Sequence, residues 1–229
     1  MTPDTLLAVL QFADGLFPSG GFAHSFGLET YVQAGAVRDG RDLEAFVVAQ
    51  LEGSLGPADA VAAAVAARRA TAADLEACIT IDEQLDAMKC VPELAAASRQ
   101  MGRQVARVGA AVAEDAWLGS LASAVEDGIT PGHAAVLFGA VAGRAGASPE
   151  TAAAAFLYSS VTLLVGAGLR LLPVGQLDGQ RVLARVRPRV VALAGGAARA
   201  DVDDMWSFAP GLDIAGIHHA DLESRLFRS

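Results

Sequence analysis

Apolar positions recur at helical spacing along almost the whole chain, and no stretch sustains the period-two alternation of a strand. Thr2-Pro3-Asp4 reads as a cap followed by a first-turn proline, and Leu6, Leu7, Val9 and Leu10 supply an apolar face that ends before Pro18. Asp39 is placed to cap a further helix carrying Leu43, Phe46, Val47 and Leu51. Pro57 is expected to open the next, through Val61 and Val65 to Arg68-Arg69. Thr71 to Asp74 resembles a capping box with Asp in place of Glu, ahead of Leu75, Ile79, Asp82 and Leu85 in a helix reaching about Lys89. Pro92-Glu93 starts a long helix with Arg99, Arg103 and Arg107 along one side and Met101, Val105 and Val108 along the other. Thr130-Pro131 and Ser148-Pro149-Glu150 read as two more starts. Gly102, Gly109, Gly139 and Gly143 would weaken solitary helices and make sense where helices cross closely. The pattern predicts an all-α fold: a single compact helical domain of roughly ten helices over residues 1–229, without a linker or a fixed repeat.

One stretch departs from this regularity. Leu16-Phe17-Pro18-Ser19-Gly20-Gly21-Phe22-Ala23-His24-Ser25-Phe26-Gly27-Leu28-Glu29 is too apolar for an ordinary loop and too rich in glycine for a helix. Pro18 stops the preceding helix, while Gly20 and Gly21 allow backbone angles closed to other residues. Helix is expected to resume near His24, with Leu28, Tyr31 and Val32 on one face and Gly35 as its stop. Such a turn is either folded against a core or kept for a partner.

Composition adds bounds. Hydrophobic residues make up 53% of the 229 and charged ones 19%, so a large core is available and disorder is excluded. The formal net charge of −9 argues against general nucleic-acid binding. No secretory signal is visible at the N-terminus. Residues 152–172 are long enough to span a bilayer, but Ser159, Ser160, Thr162 and a high share of alanine favour a buried core helix. Cys78 and Cys90 form no metal pair, and on one helix they would stand about 18 Å apart, too far for a disulfide. Reduced, buried cysteines in a cytoplasmic protein are the expectation.

Catalytic chemistry is hard to find. His24 beside Ser25 suggests a nucleophile and base, yet adjacent helical residues diverge by about 100° and no third group is identifiable. A hydrolase using His24 and Glu29 therefore stands as a rival reading, and a membrane-associated helical scaffold using residues 152–172 as another. His218-His219 is a weak surface candidate for a divalent metal, against a plain solvated pair. No phosphate loop of the GxxxxGK[ST] form occurs, so the chain is not a P-loop GTPase, and no cofactor is implied. Arg170, Arg181, Arg185, Arg187 and Arg189 concentrate positive charge beside the Pro173–Gln180 turn, either as a docking patch or as a solvated face with local salt bridges. In the tail, from about residue 210, Gly211 and Gly216 argue against a continuous helix. Leu226 and Phe227, flanked by Arg225 and Arg228, read as a partner anchor, the alternative being that they fold back onto the chain's own core.

Three ordered segments resemble one family. Phe17 to Glu29 is similar to the N-terminal signature of the UreF urease accessory proteins, Arg170-Leu171-Leu172-Pro173-Val174-Gly175-Gln176-Leu177-Asp178-Gly179-Gln180 to the family's Pro-Leu-Gly-Gln…Gly-Gln segment, and Ser224-Arg225-Leu226-Phe227-Arg228-Ser229 to its ending. The resemblance implies an all-α, dimeric, non-enzymatic scaffold that binds UreD (also called UreH), recruits the GTPase UreG and regulates nickel delivery to apo-urease. It implies partner contacts at Pro18, Gly20, Phe22, His24, Ser25, Arg225, Leu226, Phe227 and Arg228, with Phe22 and Arg225 tied to recruitment of the GTPase and residues from His218 onward to UreD. Two departures stand out: Val174 replaces the usual leucine, and His218-His219-Ala220-Asp221-Leu222-Glu223 replaces the usual His-Glu before Ser-Arg-Leu.

Overall fold

The computed structural model describes residues 1–229, which form eleven α-helices, one π-helical stretch, two short 3-10 turns and no strand. The helices are α1 (Pro3–Ala13), α2 (Leu28–Gln33), α3 (Gly40–Gln50), α4 (Val61–Thr71), α5 (Leu75–Met88), α6 (Pro92–Ala113), α7 (Ala116–Glu126), α8 (Ala134–Arg144), α9 (Pro149–Leu171), α10 (Gln176–Ala197) and α11 (Pro210–His219). Side-chain caps stand where the sequence places them: Thr2 accepts the N–H of Thr5, Asp39 those of Arg41 and Asp42, and Ser148 that of Thr151.

Helices α4 and α8 form the centre, because most side chains on them are small and apolar. A Cβ at Gly139 would lie 2.2 Å from the carbonyl oxygen of Ala63, and one at Gly143 2.3 Å from that of Ala67. Only glycine lets the two backbones meet at this distance. Around this pair α9 packs against α10 and α4, and α6 against α8. Pro149–Leu171 is long and apolar enough to cross a bilayer by length and composition, yet here it lies within the helical assembly, with Leu157, Val161 and Leu164 in the core. One contiguous core runs from Val9 in α1 to Phe227 in the tail.

The structure corrects several expectations. Pro57 opens no helix: it lies inside the π-helical stretch Leu51–Ala60 that joins α3 to α4 without a break. Proline lacks the N–H that an α-helix would return to residue 53, and the Gly53 carbonyl takes the N–H of Phe208 (2.8 Å) instead. Thr71 closes α4, and Asp74 alone caps α5, accepting from Ala77. Thr130-Pro131 precedes α8 by several residues, because Thr130 turns inward to Asp82. The second helix starts at Leu28 rather than near His24. Gly211 and Gly216 do not interrupt α11; Gly216 instead admits Leu94 and Val91 of the neighbouring segment closely. Cys78 is buried, its thiol pushed up to about 12 mainly by desolvation, whereas Cys90 is exposed just beyond α5.

Candidate interaction site

The two segments that sequence reading treats as separate partner contacts fold against each other. The main-chain oxygen of Ser229 accepts the N–H groups of Ser25 (2.6 Å) and Phe26 (3.1 Å) and the hydroxyl of Ser25 (2.9 Å). The N–H of Arg228 donates to the carbonyl of Ala23 at 2.8 Å. His24 Nδ1 meets Ser229 Oγ at 2.8 Å. With the N–H groups of Ser25 and Phe26 spent on the tail, this stretch does not enter a helix: His24 is extended, and Phe26 and Gly27 hold φ of +52° and +86°. A left-handed phenylalanine is unfavourable alone and persists because the tail holds it from outside.

Glu29, on the first turn of α2, completes the clamp. Its side chain is 3% exposed and accepts the N–H of Leu226 (2.7 Å) and of Phe227 (3.1 Å). A buried carboxylate needs such partners, and a third comes from His219 Nε2 at 3.1 Å. The other nitrogen of His219 lies 3.0 Å from Glu93 of α6, and Glu93 also pairs with Arg225 at 3.1 Å. Phe227 is 3% exposed and sits beneath the guanidinium of Arg170, 4.2 Å from the ring centroid. That guanidinium also donates to the carbonyl of Phe22 (2.6 Å), so one side chain of α9 touches both segments.

The expected site residues thus divide into two groups. His24, Ser25 and Phe227 point inward and hold the chain together, and Gly20 is a conformational element with φ of +82°. Pro18, Phe22 (70% exposed), Arg225, Leu226 (63% exposed) and Arg228 face out. Phe227 is therefore no free anchor; of the expected apolar pair only Leu226 is presented. Nor are His218 and His219 a surface metal pair: His219 has no exposed surface and spends both nitrogens on carboxylates. His24 and Glu29 form no hydrogen bond with each other, because both Glu29 oxygens serve the tail and His219. Glu93 went unsuspected in sequence; its only signal was a first-turn position that also suits an ordinary helix start.

A second polar network lies deeper. Asp82, 1% exposed, accepts from Thr130 Oγ1 (2.6 Å) and from the N–H groups of Gly132 (2.5 Å) and His133 (2.8 Å). His133 bridges Ser98 Oγ (3.0 Å) and Asp86 (2.7 Å), and Arg99 pairs with the same Asp86 oxygen. Burial works to raise the Asp86 pKa, but the bonds from His133 and Arg99 outweigh it and hold the carboxyl below the usual range. With no exposed surface on His133, the network ties α5, α6 and the start of α8 together and presents no open base. Three arginines of α10 make local surface salt bridges: Arg185 with Glu44, Arg189 with Glu52 and Arg181 with Asp178.

The family model for UreF matches residues 37–187. A urease accessory protein UreF of Paenarthrobacter aurescens is 34% identical over 227 residues, covering 97% of each chain. One of Trichodesmium erythraeum is 33% identical over 222 residues, 96% of this chain and 95% of that one. One of Geobacillus kaustophilus is 30% identical over 229 residues, the whole of both. The last of these alignments takes in the two ends that the family model leaves out, and with them the clamp residues. The chain belongs to the UreF family of urease accessory proteins.

Proposed function

We propose that this protein is the adaptor of a urease maturation complex in the cytoplasm. In this reading it binds UreD (UreH) and the GTPase UreG, and regulates the transfer of nickel, as cargo, to apo-urease. It works as one domain over 1–229, within a homodimer, and contributes contacts rather than catalytic groups. The observation that carries this reading is the sorting of the clamp residues. The inward ones are buried against the chain itself, while Phe22, Arg225, Leu226 and Arg228 stay exposed. Exposed aromatics and arginines are the residue types that dominate protein interfaces. The tail from about residue 210, docked on α2 and α6, offers UreD a preformed surface. The test is co-purification from cells producing this chain together with UreD and UreG. Recovery of both at fixed stoichiometry supports the reading; recovery of neither refutes it.

A further inference from the structure

The tail is held by a site whose polar groups are almost all matched, with one exception. His24 is 3% exposed, its Nδ1 meets Ser229 Oγ, and its Nε2 has no hydrogen-bond partner at all. A neutral ring tolerates this at modest cost, since either tautomer can serve the Ser229 hydroxyl. A charged ring would carry a buried N–H at Nε2 with nothing to receive it. The charges around it offer little relief. The strap contributes the cation Arg228, and α11 contributes His219; both act against a charge on His24. Arg170 of α9 is engaged with Phe22 and Phe227. The anions that hold the strap, Glu29 of α2 and Glu93 of α6, are committed to Leu226, Phe227, His219 and Arg225.

We infer that residues 224–229 form a proton-sensitive strap, closed over His24 while the imidazole is neutral and released when it is charged. Burial, then Arg228 and then His219, hold the His24 pKa below the ordinary imidazole value. With the closed-state pKa lower than the open-state one, closure is fully favoured above the open-state value and weakens as pH falls through it. Other bonds set the direction of competing effects. A charged His219 would donate to both Glu29 and Glu93 and tighten the clamp, so release must come from His24 against that opposition. A window from about pH 7.5 to 5.5 brackets the ordinary imidazole value. A released strap would uncover Phe227 and the N–H groups of Ser25 and Phe26, and would free Arg225 from Glu93.

Amide hydrogen exchange of residues 224–229 in the full chain, corrected for intrinsic rates, reads the equilibrium directly. One coupled proton predicts a protection factor that falls by up to tenfold per pH unit below about 6.5. His24→Gln keeps a polar side chain without the charge and should give a flat profile in this window, whereas His219→Gln should remain acid-sensitive. Protection in the wild type that does not change with pH, or His24→Gln with the wild-type slope, overturns the inference. Should His24→Gln fail to close, side-chain NMR titration of His24 in the wild type decides: protonation and strap opening must share one midpoint, and separate midpoints refute the coupling.

Discussion

Glu29 accepts the main-chain N–H of Phe227 at 3.1 Å across 198 positions of sequence, and the carboxylate is almost wholly buried. The contact joins a short helix near one end of the chain to a strap at the other. It makes the strap part of the fold, where the sequence reading favoured a partner anchor over folding back onto the core.

Glu29→Ala should release the strap without unfolding the bundle. It leaves the N–H groups of Leu226 and Phe227 without their acceptor, at about 1–3 kcal/mol each if they stay buried. Detachment avoids that cost, so residues 224–229 should lose exchange protection while α4 and α8 keep theirs. Unchanged protection of the strap contradicts the clamp.

Phe22 and Phe227 should behave oppositely. Phe227→Ala removes a core side chain beneath Arg170 and should cost about 3–5 kcal/mol, or the closure of the strap. Phe22→Ala removes an exposed ring and should change stability by no more than about 0.5 kcal/mol. Thermal melting separates them; a large loss in Phe22→Ala would mean the ring serves the core and no partner.

The glycines divide by what a Cβ would meet. Gly143→Ala would press into the Ala67 carbonyl on α4 and should cost about 3 kcal/mol or more. Gly21→Val would strike Leu163 Cδ1, 2.7 Å from the Cβ position, and Gly20→Val would force a β-branched residue to a φ of +82°. Gly166, mid-helix in α9 with open space around it, should instead stabilise by about 0.5–1 kcal/mol when changed to Ala. Denaturant midpoints rank all four, and a neutral Gly143→Ala would refute the close crossing of α4 and α8.

Acid should loosen the α5–α6–α8 junction. The folded-state pKa of Asp86 lies below its ordinary 3.8, so its contribution is complete above that value and is lost as pH falls through the lower, folded-state one. Asp86→Asn should be less stable at pH 7 and show a shallower loss of stability between pH 5 and 2. Parallel acid profiles for variant and wild type would contradict this.

Much of the bundle was legible because caps and apolar periodicity are local properties. Thr2, Asp39 and Ser148 cap as their neighbours demand, and the small residues of α4 and α8 signal a close crossing. What could not be read were groups whose partner lies far away in sequence. Residues 24–27 look helical until Ser229 takes the N–H groups of Ser25 and Phe26; Pro57 looks like a start until Phe208 supplies the donor it lacks. Thr130 looks like a cap until Asp82 draws it inward. Resemblance named the candidate site residues but did not sort them by direction: His24, Ser25 and Phe227 face the chain itself, Phe22 and Arg225 the solvent.

The most direct test of the adaptor reading is size-exclusion co-elution of the purified chain with UreD and UreG, using Phe22→Ala and Arg225→Ala beside the wild type. Both variants keep the inward clamp residues, so the account predicts that each still elutes with UreD and that neither retains the GTPase. Full retention of UreG by both variants, or loss of UreD from either while its melting temperature is unchanged, would contradict it.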